Sequence, residues 1–274
     1  MIKTNLIIQI YEIQTPHDAE KLIELGVDHI GSVVVSETSW KIANIRETIR
    51  LSAPTRSRSS LILLFNDPES VLRALDYYQP DIIHFCEALT HGNGRRRDCG
   101  SLISMQKKVK AKFPEINIMR SIPIPPPGLA EYISISELAR LFEPSSDYFL
   151  TDTLLIKPGG SAAHQQPVSG FIGITGQTCD WAAARSLVKA STIPVILAGG
   201  IAPENVADGL RKVQPAGVDS CTGTNFLDSK GHAVRFKKDF IRVQRLVENV
   251  RRVERIQKHQ CSKATVGPGK KPDA

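Results

Sequence analysis

The sequence lacks a long hydrophobic run. No stretch of eighteen consecutive apolar residues occurs in the 274-residue chain, and about that length is needed for a helix to cross a bilayer. The apolar beginning of the chain, residues 1–15, is interrupted by Gln9 and Glu12, which argues against a transmembrane segment and against a signal peptide. We therefore expect a soluble, cytoplasmic protein without a membrane partner.

Cysteine is scarce. The five cysteines are scattered along the chain, and no two of them stand in a CxxC pair or in the Cys/His spacing of a zinc site. An odd number of separated cysteines gives no indication of a disulfide framework, and the missing ligand spacing gives none of a structural zinc site. The sequence therefore predicts free thiols in a reducing compartment, and no metal.

Aromatic residues make up only 6% of the chain, and none follows Phe240. The positive charge of the chain is concentrated at its C-terminal end. Residues 229–274 hold 13 Lys and Arg against 4 Asp and Glu, whereas the preceding 228 residues have a net charge of −2. A basic segment can bind nucleic acid, but the aromatic platforms on which single strands stack are missing. We expect instead a solvated basic helix that leads into a disordered tail over residues 257–274.

Eight short apolar runs alternate with amphipathic segments, and each run has the length and the branched residues of a buried strand. Eight strand–helix units predict one domain, a parallel (β/α)8 TIM barrel over residues 1–256, with a doubly wound open sheet as the alternative. Residues 90–100 and 156–170 are rich in turn formers and are predicted to be loops. The runs span residues 6–11, 29–35, 60–65, 81–86, 116–124, 147–152, 194–199 and 217–223.

Two of the predicted strands end in small residues. Gly199-Gly200 follows the seventh strand and leads into a predicted helix start, while Thr222-Gly223 ends the eighth. Backbone N–H groups approach a phosphate closely where no Cβ intervenes, and a helix start adds unpaired donors. In (β/α)8 barrels, phosphates commonly bind beyond the last two strands. The pattern therefore favours a phosphate site over the alternative that the glycines only permit tight turns.

Four segments of the sequence resemble one enzyme family. They are ILAGGIAPENVADGL, GVDSCTG, DYFLTD and GITGQTCDW, and they are similar to segments of the phosphoribosylanthranilate isomerase family of tryptophan biosynthesis. The resemblance extends from Leu6 to about Val250 and is more specific after Asp147. It implies a (β/α)8 barrel that binds a phosphoribosyl amine. It also implies an Amadori rearrangement, an aldose–ketose isomerisation that uses neither a metal nor an organic cofactor.

The resemblance implies roles for individual residues. Asp152 corresponds to the general acid that protonates the furanose ring oxygen, a task that suits a carboxyl group with a raised pKa. The mobile loop that closes over the substrate corresponds to the segment from Gly173 to Gly176. The residues expected to bind the phosphate are Gly199, Gly200, Thr222 and Gly223.

The sequence departs from the family in the other half of the site. Tyr11 stands where the family has the cysteine that removes the sugar C2 proton, and the ordinary tyrosine pKa of about 10 is far from that of a base near neutrality. Lys41 replaces the arginine that engages the anthranilate carboxylate, which keeps the charge but loses the bidentate fork. Strand alternation places His84 and Cys86 on one face of the fourth strand.

Three interpretations of the function follow, and the third, a nucleic-acid or partner-binding protein that acts through its basic tail, is the least favoured. In the first, the base has moved to Cys86, His84 or Glu12, and the protein isomerises phosphoribosylanthranilate or a related phosphosugar. In the second, Cys86 is a small buried hydrophobe and His84 a core histidine, and the protein is a non-catalytic phosphosugar-binding paralogue. The first two interpretations predict a phosphorylated sugar as the partner, and a nucleic-acid partner for the tail is not favoured.

Overall fold

The computed structural model describes residues 5–156 and 166–265. Eight parallel strands form a closed barrel in chain order, with β8 paired back to β1. This confirms the (β/α)8 prediction and excludes the open sheet, because an open sheet has two unpaired edges. The strands are β1 (Ile7–Ile10), β2 (His29–Val34), β3 (Arg58–Leu63), β4 (Ile82–Phe85), β5 (Asn117–Ile124), β6 (Tyr148–Thr153), β7 (Val195–Leu197) and β8 (Gly217–Ser220).

Helices follow the strands and cover the outside of the barrel. The first begins after Thr15, whose hydroxyl accepts a hydrogen bond from the Asp18 N–H at 3.2 Å, with Pro16 in the first turn. None of the helices in the described residues combines the length and hydropathy of a membrane span. The helices are α1 (Pro16–Glu24), α2 (Ala43–Ser52), α3 (Pro68–Tyr78), α4 (Gly100–Lys112), α5 (Ile135–Phe142), α6 (Trp181–Ala190), α7 (Val206–Val213) and α8 (Phe240–Thr265).

The structure contains three features that the sequence pattern did not predict. Helix α2 begins without a side-chain cap, since Ile42 occupies the N-cap position. A β-hairpin of β9 (Asn225–Leu227) and β10 (Ala233–Lys238) lies between β8 and α8. Helix α8 continues to Thr265, past residue 257 where the tail was expected to begin. Residues 157–165 of the predicted loop and residues 266–274 of the predicted tail lie outside the described residues.

The interior of the barrel contains a chain of buried polar groups beside an apolar cluster. Gln9 donates a hydrogen bond from Nε2 to Asp219 Oδ1 at 3.1 Å, and its Oε1 lies 3.0 Å from His29 Nδ1. Burial lowers the pKa of His29 to about 3, so its ring is neutral. This network holds the Asp219 carboxyl through its hydrogen bond with Gln9. The apolar cluster includes Ile82, Met119, Leu150 and Ile196.

Candidate active site

A pocket lies at the carboxyl ends of the strands, the end at which (β/α)8 barrels carry their sites. It contains about 700 Å³ of space, solvent at its mouth included. Eight residues of the predicted site line it together: Tyr11, His84, Cys86, Asp152, Gly176, Gly199, Gly200 and Thr222. The other lining residues are Glu12, Val33, Ile62, Leu64, Leu150, Ile172, Ile174, Thr175, Ile201, Asp219, Cys221 and Arg235.

The two glycine-bearing strand ends meet on one side of the pocket. Gly200 has a φ of +60°, and a Cβ there would come within 2.6 Å of the Gln177 carbonyl carbon and the Thr178 nitrogen. Gly223 does not line the pocket, but a Cβ at this residue would overlap the Ile201 carbonyl oxygen. Bare backbone therefore lets the ends of β7 and β8 and the segment before α6 approach one another. The result is a concave wall of main chain, of the kind that binds anions.

Asp152 points into the pocket from the end of β6. Its Oδ1 accepts a hydrogen bond from the Thr153 N–H at 2.8 Å. Removal from solvent dominates over this bond and raises the pKa of Asp152 to about 7. Gly173 packs directly on the carboxyl: a side chain there would overlap Asp152 Oδ2, and the φ of +97° also favours glycine. The carboxyl is therefore poised to hold a proton near neutrality.

A second carboxyl, that of Asp219, enters the same pocket from β8, and the sequence reasoning did not select it. Asp219 is 7% exposed, and burial, with the charge of Asp152 as a further cause, raises its pKa to about 8. The signal was present in the sequence, because a carboxylate inside a buried strand is rare without a partner or a function. The pocket thus holds two carboxyl groups that titrate near neutrality.

Tyr11 and His84 form a buried hydrogen-bonded chain. The Tyr11 hydroxyl lies 2.6 Å from Ser60 Oγ and 2.9 Å from His84 Nδ1, and His84 Nε2 lies 2.7 Å from Ser121 Oγ. Burial raises the pKa of Tyr11 well above its ordinary value of 10 and lowers that of His84 to about 3. Both side chains are therefore neutral near pH 7, and neither has the pKa of an effective general base.

The other two candidate bases differ in their surroundings. Burial raises the pKa of the Cys86 thiol well above its ordinary value, and the nearby Glu87 and Asp152 charges add to the rise. Hydrogen bonds from Asn225, Phe236 and Arg235 outweigh burial at Glu12 and lower its pKa. Cys86 is therefore a thiol rather than a thiolate, and the Glu12 carboxylate is fully engaged in attaching the hairpin to the barrel.

Lys41 does not line the pocket. Its Nζ lies 5.2 Å from the centroid of the Trp40 ring and 5.8 Å from that of Tyr77. In the part of the chain that the structure describes, no group of three His, Cys, Asp or Glu residues is arranged to hold a metal ion. The pocket brings two carboxyl groups, those of Asp152 and Asp219, next to the glycine-lined ends of β7 and β8, and carboxyls with pKa values near neutrality are suited to proton transfer.

Comparisons with known proteins point to one family. A family model described as N-(5'-phosphoribosyl)anthranilate (PRA) isomerase matches residues 148–225. The N-(5'-phosphoribosyl)anthranilate isomerase of Methanosarcina acetivorans is 26% identical over 258 residues, which cover 91% of this chain and 94% of that protein. The isomerase 2 of Methanosarcina mazei is 34% identical over 160 residues, 54% of this chain and 61% of the relative.

A solved structure shares the fold. It is a phosphoribosyl anthranilate isomerase in complex with reduced 1-(o-carboxyphenylamino)-1-deoxyribulose 5-phosphate, and it superposes with a TM-score of 0.60. The sequence identity is 19%, and the match covers 90% of this chain and 98% of the solved one.

Proposed function

The chain belongs to the phosphoribosylanthranilate isomerase family, and from this premise we propose that it is an aldose–ketose isomerase of tryptophan biosynthesis whose substrate is N-(5'-phosphoribosyl)anthranilate. The observation that carries the proposal is the pair of carboxyl groups, Asp152 and Asp219, in one pocket beside the glycine-lined strand ends. An isomerisation of this kind only moves protons between the substrate and the enzyme. It can therefore be catalysed by a site in which two carboxyls with pKa values near neutrality donate and accept the protons.

The phosphate binds where the main chain is bare. Gly176, Gly199, Gly200 and Thr222 line one side of the pocket, and backbone N–H groups at such positions reach a phosphate without obstruction by a Cβ. The same placement puts the sugar between the glycine-lined wall and the two carboxyls. The phosphate is bonded to C5 and takes no part in the reaction, so its binding energy serves to position the furanose ring.

Asp152 acts as the general acid. It gives its proton to the ring oxygen while the bond from that oxygen to C1 breaks, and the nitrogen lone pair forms a protonated Schiff base with C1. Gly173 leaves room for this carboxyl, because a Cβ at residue 173 would overlap Asp152 Oδ2. A pKa of about 7 keeps a large fraction of this group protonated at neutral pH.

Asp219 acts as the base. As a carboxylate it removes the C2 proton, the electrons of that bond form the C1–C2 double bond, and those of the C1–N double bond return to nitrogen. Asp219 then returns the proton to C1, while the C2 hydroxyl gives its proton to Asp152. The product is the 1-amino-1-deoxyketose, and both carboxyls recover their starting protonation.

The two carboxyls can divide the roles because they share one pocket. The charge of Asp152 raises the pKa of Asp219, so ionisation of one group opposes ionisation of the other. Over an intermediate pH range the pair therefore holds one proton, which supplies an acid and a base together. Because the pKa of Asp219 is the higher of the two, most molecules carry this proton on Asp219, and the reaction proceeds through the smaller fraction in which Asp152 is protonated and Asp219 is ionised. Tyr11, which occupies the position of the family's cysteine, is not needed as a base in this scheme.

Turnover of phosphoribosylanthranilate tests the proposal. The protein is expected to convert it to the ketose, which is measured as disappearance of the substrate and appearance of the product. It is also expected to restore growth of a tryptophan auxotroph that lacks the isomerase. Tight binding of a phosphosugar with neither turnover nor rescue would instead support the non-catalytic paralogue.

Tyr11→Phe separates a structural from a catalytic role for Tyr11. Loss of the hydroxyl leaves Ser60 Oγ and His84 Nδ1 each without the partner that Tyr11 supplies, and we expect the free energy of unfolding to fall by about 1–3 kcal/mol. The kcat/KM is expected to stay within about tenfold of wild type, because a positioned proton-transfer group contributes about 10²- to 10⁴-fold. A folded variant that has lost 10²-fold or more would assign the proton transfer to Tyr11.

A further inference from the structure

The β9–β10 hairpin brings a cation to the pocket. Among the described residues that line the pocket, Arg235 is the only lysine or arginine. It lies on β10, which follows the eighth barrel strand. Lys41, the cation that the sequence placed at the carboxylate of the substrate, lies instead against Trp40 and Tyr77, outside this set. The hairpin therefore supplies a cation to the pocket, whereas the segment after β2, which carries Lys41, does not.

Arg235 is held in place by the end of β1. Its Nε donates a hydrogen bond to Glu12 Oε1 at 2.6 Å, and its guanidinium carbon lies 4.7 Å from the centroid of the Phe236 ring. The second Glu12 oxygen accepts hydrogen bonds from Asn225 Nδ2 at 3.0 Å and from the Phe236 N–H at 3.1 Å. An arginine fixed in this way loses little conformational entropy when it binds a ligand.

Arg235 keeps unused donors. A guanidinium carries five N–H groups, and Nη2 of Arg235 is buried without a hydrogen-bond partner. A buried donor without a partner is costly in free energy, and such a group calls for a partner that the protein does not supply, which can be a water, an ion or a ligand. The geometry that satisfies a guanidinium best is the two-oxygen edge of a carboxylate or a phosphate.

The surroundings of the pocket favour the carboxylate. Val33, Ile62 and Leu64 line the pocket from β2, from β3 and from the residue after it, and together they offer an apolar wall to an aromatic ring. The glycine-lined ends of β7 and β8 already supply main-chain donors for a phosphate. We propose that Arg235 binds the carboxylate on the aromatic ring of the substrate, in place of Lys41. The inference rests on the proposed function and adds a residue that determines substrate specificity.

Three charge-removing variants test the assignment. Arg235→Met is expected to lower kcat/KM for phosphoribosylanthranilate by about 10- to 100-fold, the loss that follows removal of a charged hydrogen bond. Lys41→Met and Lys237→Met remove the same charge outside the pocket and are expected to remain near wild type. Lys237 is a close match, because it lies two residues from Arg235 with its Nζ 4.2 Å from the Phe226 ring centroid. A loss with Lys41→Met and none with Arg235→Met would overturn the assignment.

A substrate without the carboxylate makes the test specific. With N-(5'-phosphoribosyl)aniline, wild type and Arg235→Met are expected to have the same kcat/KM, since the group that Arg235 binds is absent. Inorganic phosphate is expected to inhibit both proteins equally. An equal loss on both substrates, together with weaker phosphate inhibition, would assign Arg235 to the phosphate and overturn the proposal.

Two further measurements keep the proposal testable. Glu12→Gln with Arg235→Met removes both members of the ion pair, so that no unpaired charge is buried if the single variant fails to fold. Calorimetry measures, without turnover, how tightly wild type and each variant bind the reduced product analogue, reduced 1-(o-carboxyphenylamino)-1-deoxyribulose 5-phosphate. If wild type binds the analogue more tightly than Arg235→Met but does not convert phosphoribosylanthranilate, only the catalytic function would be refuted. Wild-type turnover that is indifferent to Arg235 would refute only this inference, and no binding by wild type would refute both.

Discussion

Asp152→Asn is expected to lower kcat/KM for phosphoribosylanthranilate by about 10²- to 10⁴-fold, because it removes the proton that the ring oxygen must receive as the ring opens. The amide is a close copy of the carboxyl in shape, and its oxygen still accepts the hydrogen bond that the Thr153 N–H donates to Asp152 Oδ1. The change therefore removes the ionisable group and leaves the shape of the side chain almost unaltered. Steady-state turnover of phosphoribosylanthranilate measures the fall in kcat/KM.

Two comparisons show that the loss comes from the chemistry at Asp152. Inhibition by inorganic phosphate is expected to be unchanged, since the glycine-lined wall is intact. Asp208→Asn removes a carboxylate from the surface of α7, where Asp208 pairs with Arg211, and is expected to leave kcat/KM at the wild-type value. Turnover by Asp152→Asn at the wild-type rate would remove Asp152 from the mechanism.

Asp219→Asn is expected to have an effect of the same order, about 10²- to 10⁴-fold on kcat/KM. The amide oxygen of this variant would still accept the Gln9 Nε2 hydrogen bond that Asp219 Oδ1 accepts, so the interior network remains satisfied. The two variants differ in which step becomes slow. Without Asp219, removal of the C2 proton limits the rate, whereas without Asp152 ring opening does.

Deuterium at C2 of the substrate distinguishes these cases. A larger isotope effect on kcat/KM is expected for Asp219→Asn than for wild type, and none is expected for Asp152→Asn. If Asp219→Asn raised KM without changing kcat, Asp219 would be a binding group for a sugar hydroxyl and the base would lie elsewhere.

Thermal unfolding tests whether both variants fold, and each is expected to have a measurable melting temperature. The folded pKa values of Asp152 and Asp219, about 7 and about 8, lie above the ordinary value of 3.8. The folded protein therefore binds more protons than the unfolded chain, and stability falls as the pH rises from about 4 to these values. Each asparagine variant removes the part of this loss of stability that comes from its own carboxyl. We expect their melting temperatures to exceed that of wild type at pH 8.5 and to approach it at pH 4.

The barrel could be predicted because its signal is local and repeated. Each strand is a short branched run and each connection an amphipathic segment, so eight repeats indicate the closed sheet without knowledge of a single contact. The glycine-rich ends of β7 and β8 could be recognised for the same reason. Their sequence positions alone, immediately after strands, place them at the mouth of the barrel.

The rest of the site depends on contacts between residues that are distant in the chain. Arg235 lies at the pocket in a hairpin that Glu12, 223 residues earlier, attaches to the end of β1. The raised pKa of Asp219 depends on burial and on the charge of Asp152, not on its neighbours in sequence. Lys41 stood at the family's arginine position, but the Trp40 and Tyr77 rings beside it do not follow from that alignment.

The pH dependence of kcat/KM tests most directly whether two carboxyls that share one proton carry out the reaction. For wild type it reports the ionisation of the free enzyme, and the pair predicts a narrow maximum between about pH 7 and about pH 8. The rate falls at lower pH because both groups are protonated, and at higher pH because both are ionised. A rate that instead climbed through pH 8 to a plateau at alkaline pH would identify a single thiol or phenol as the base and would contradict the account.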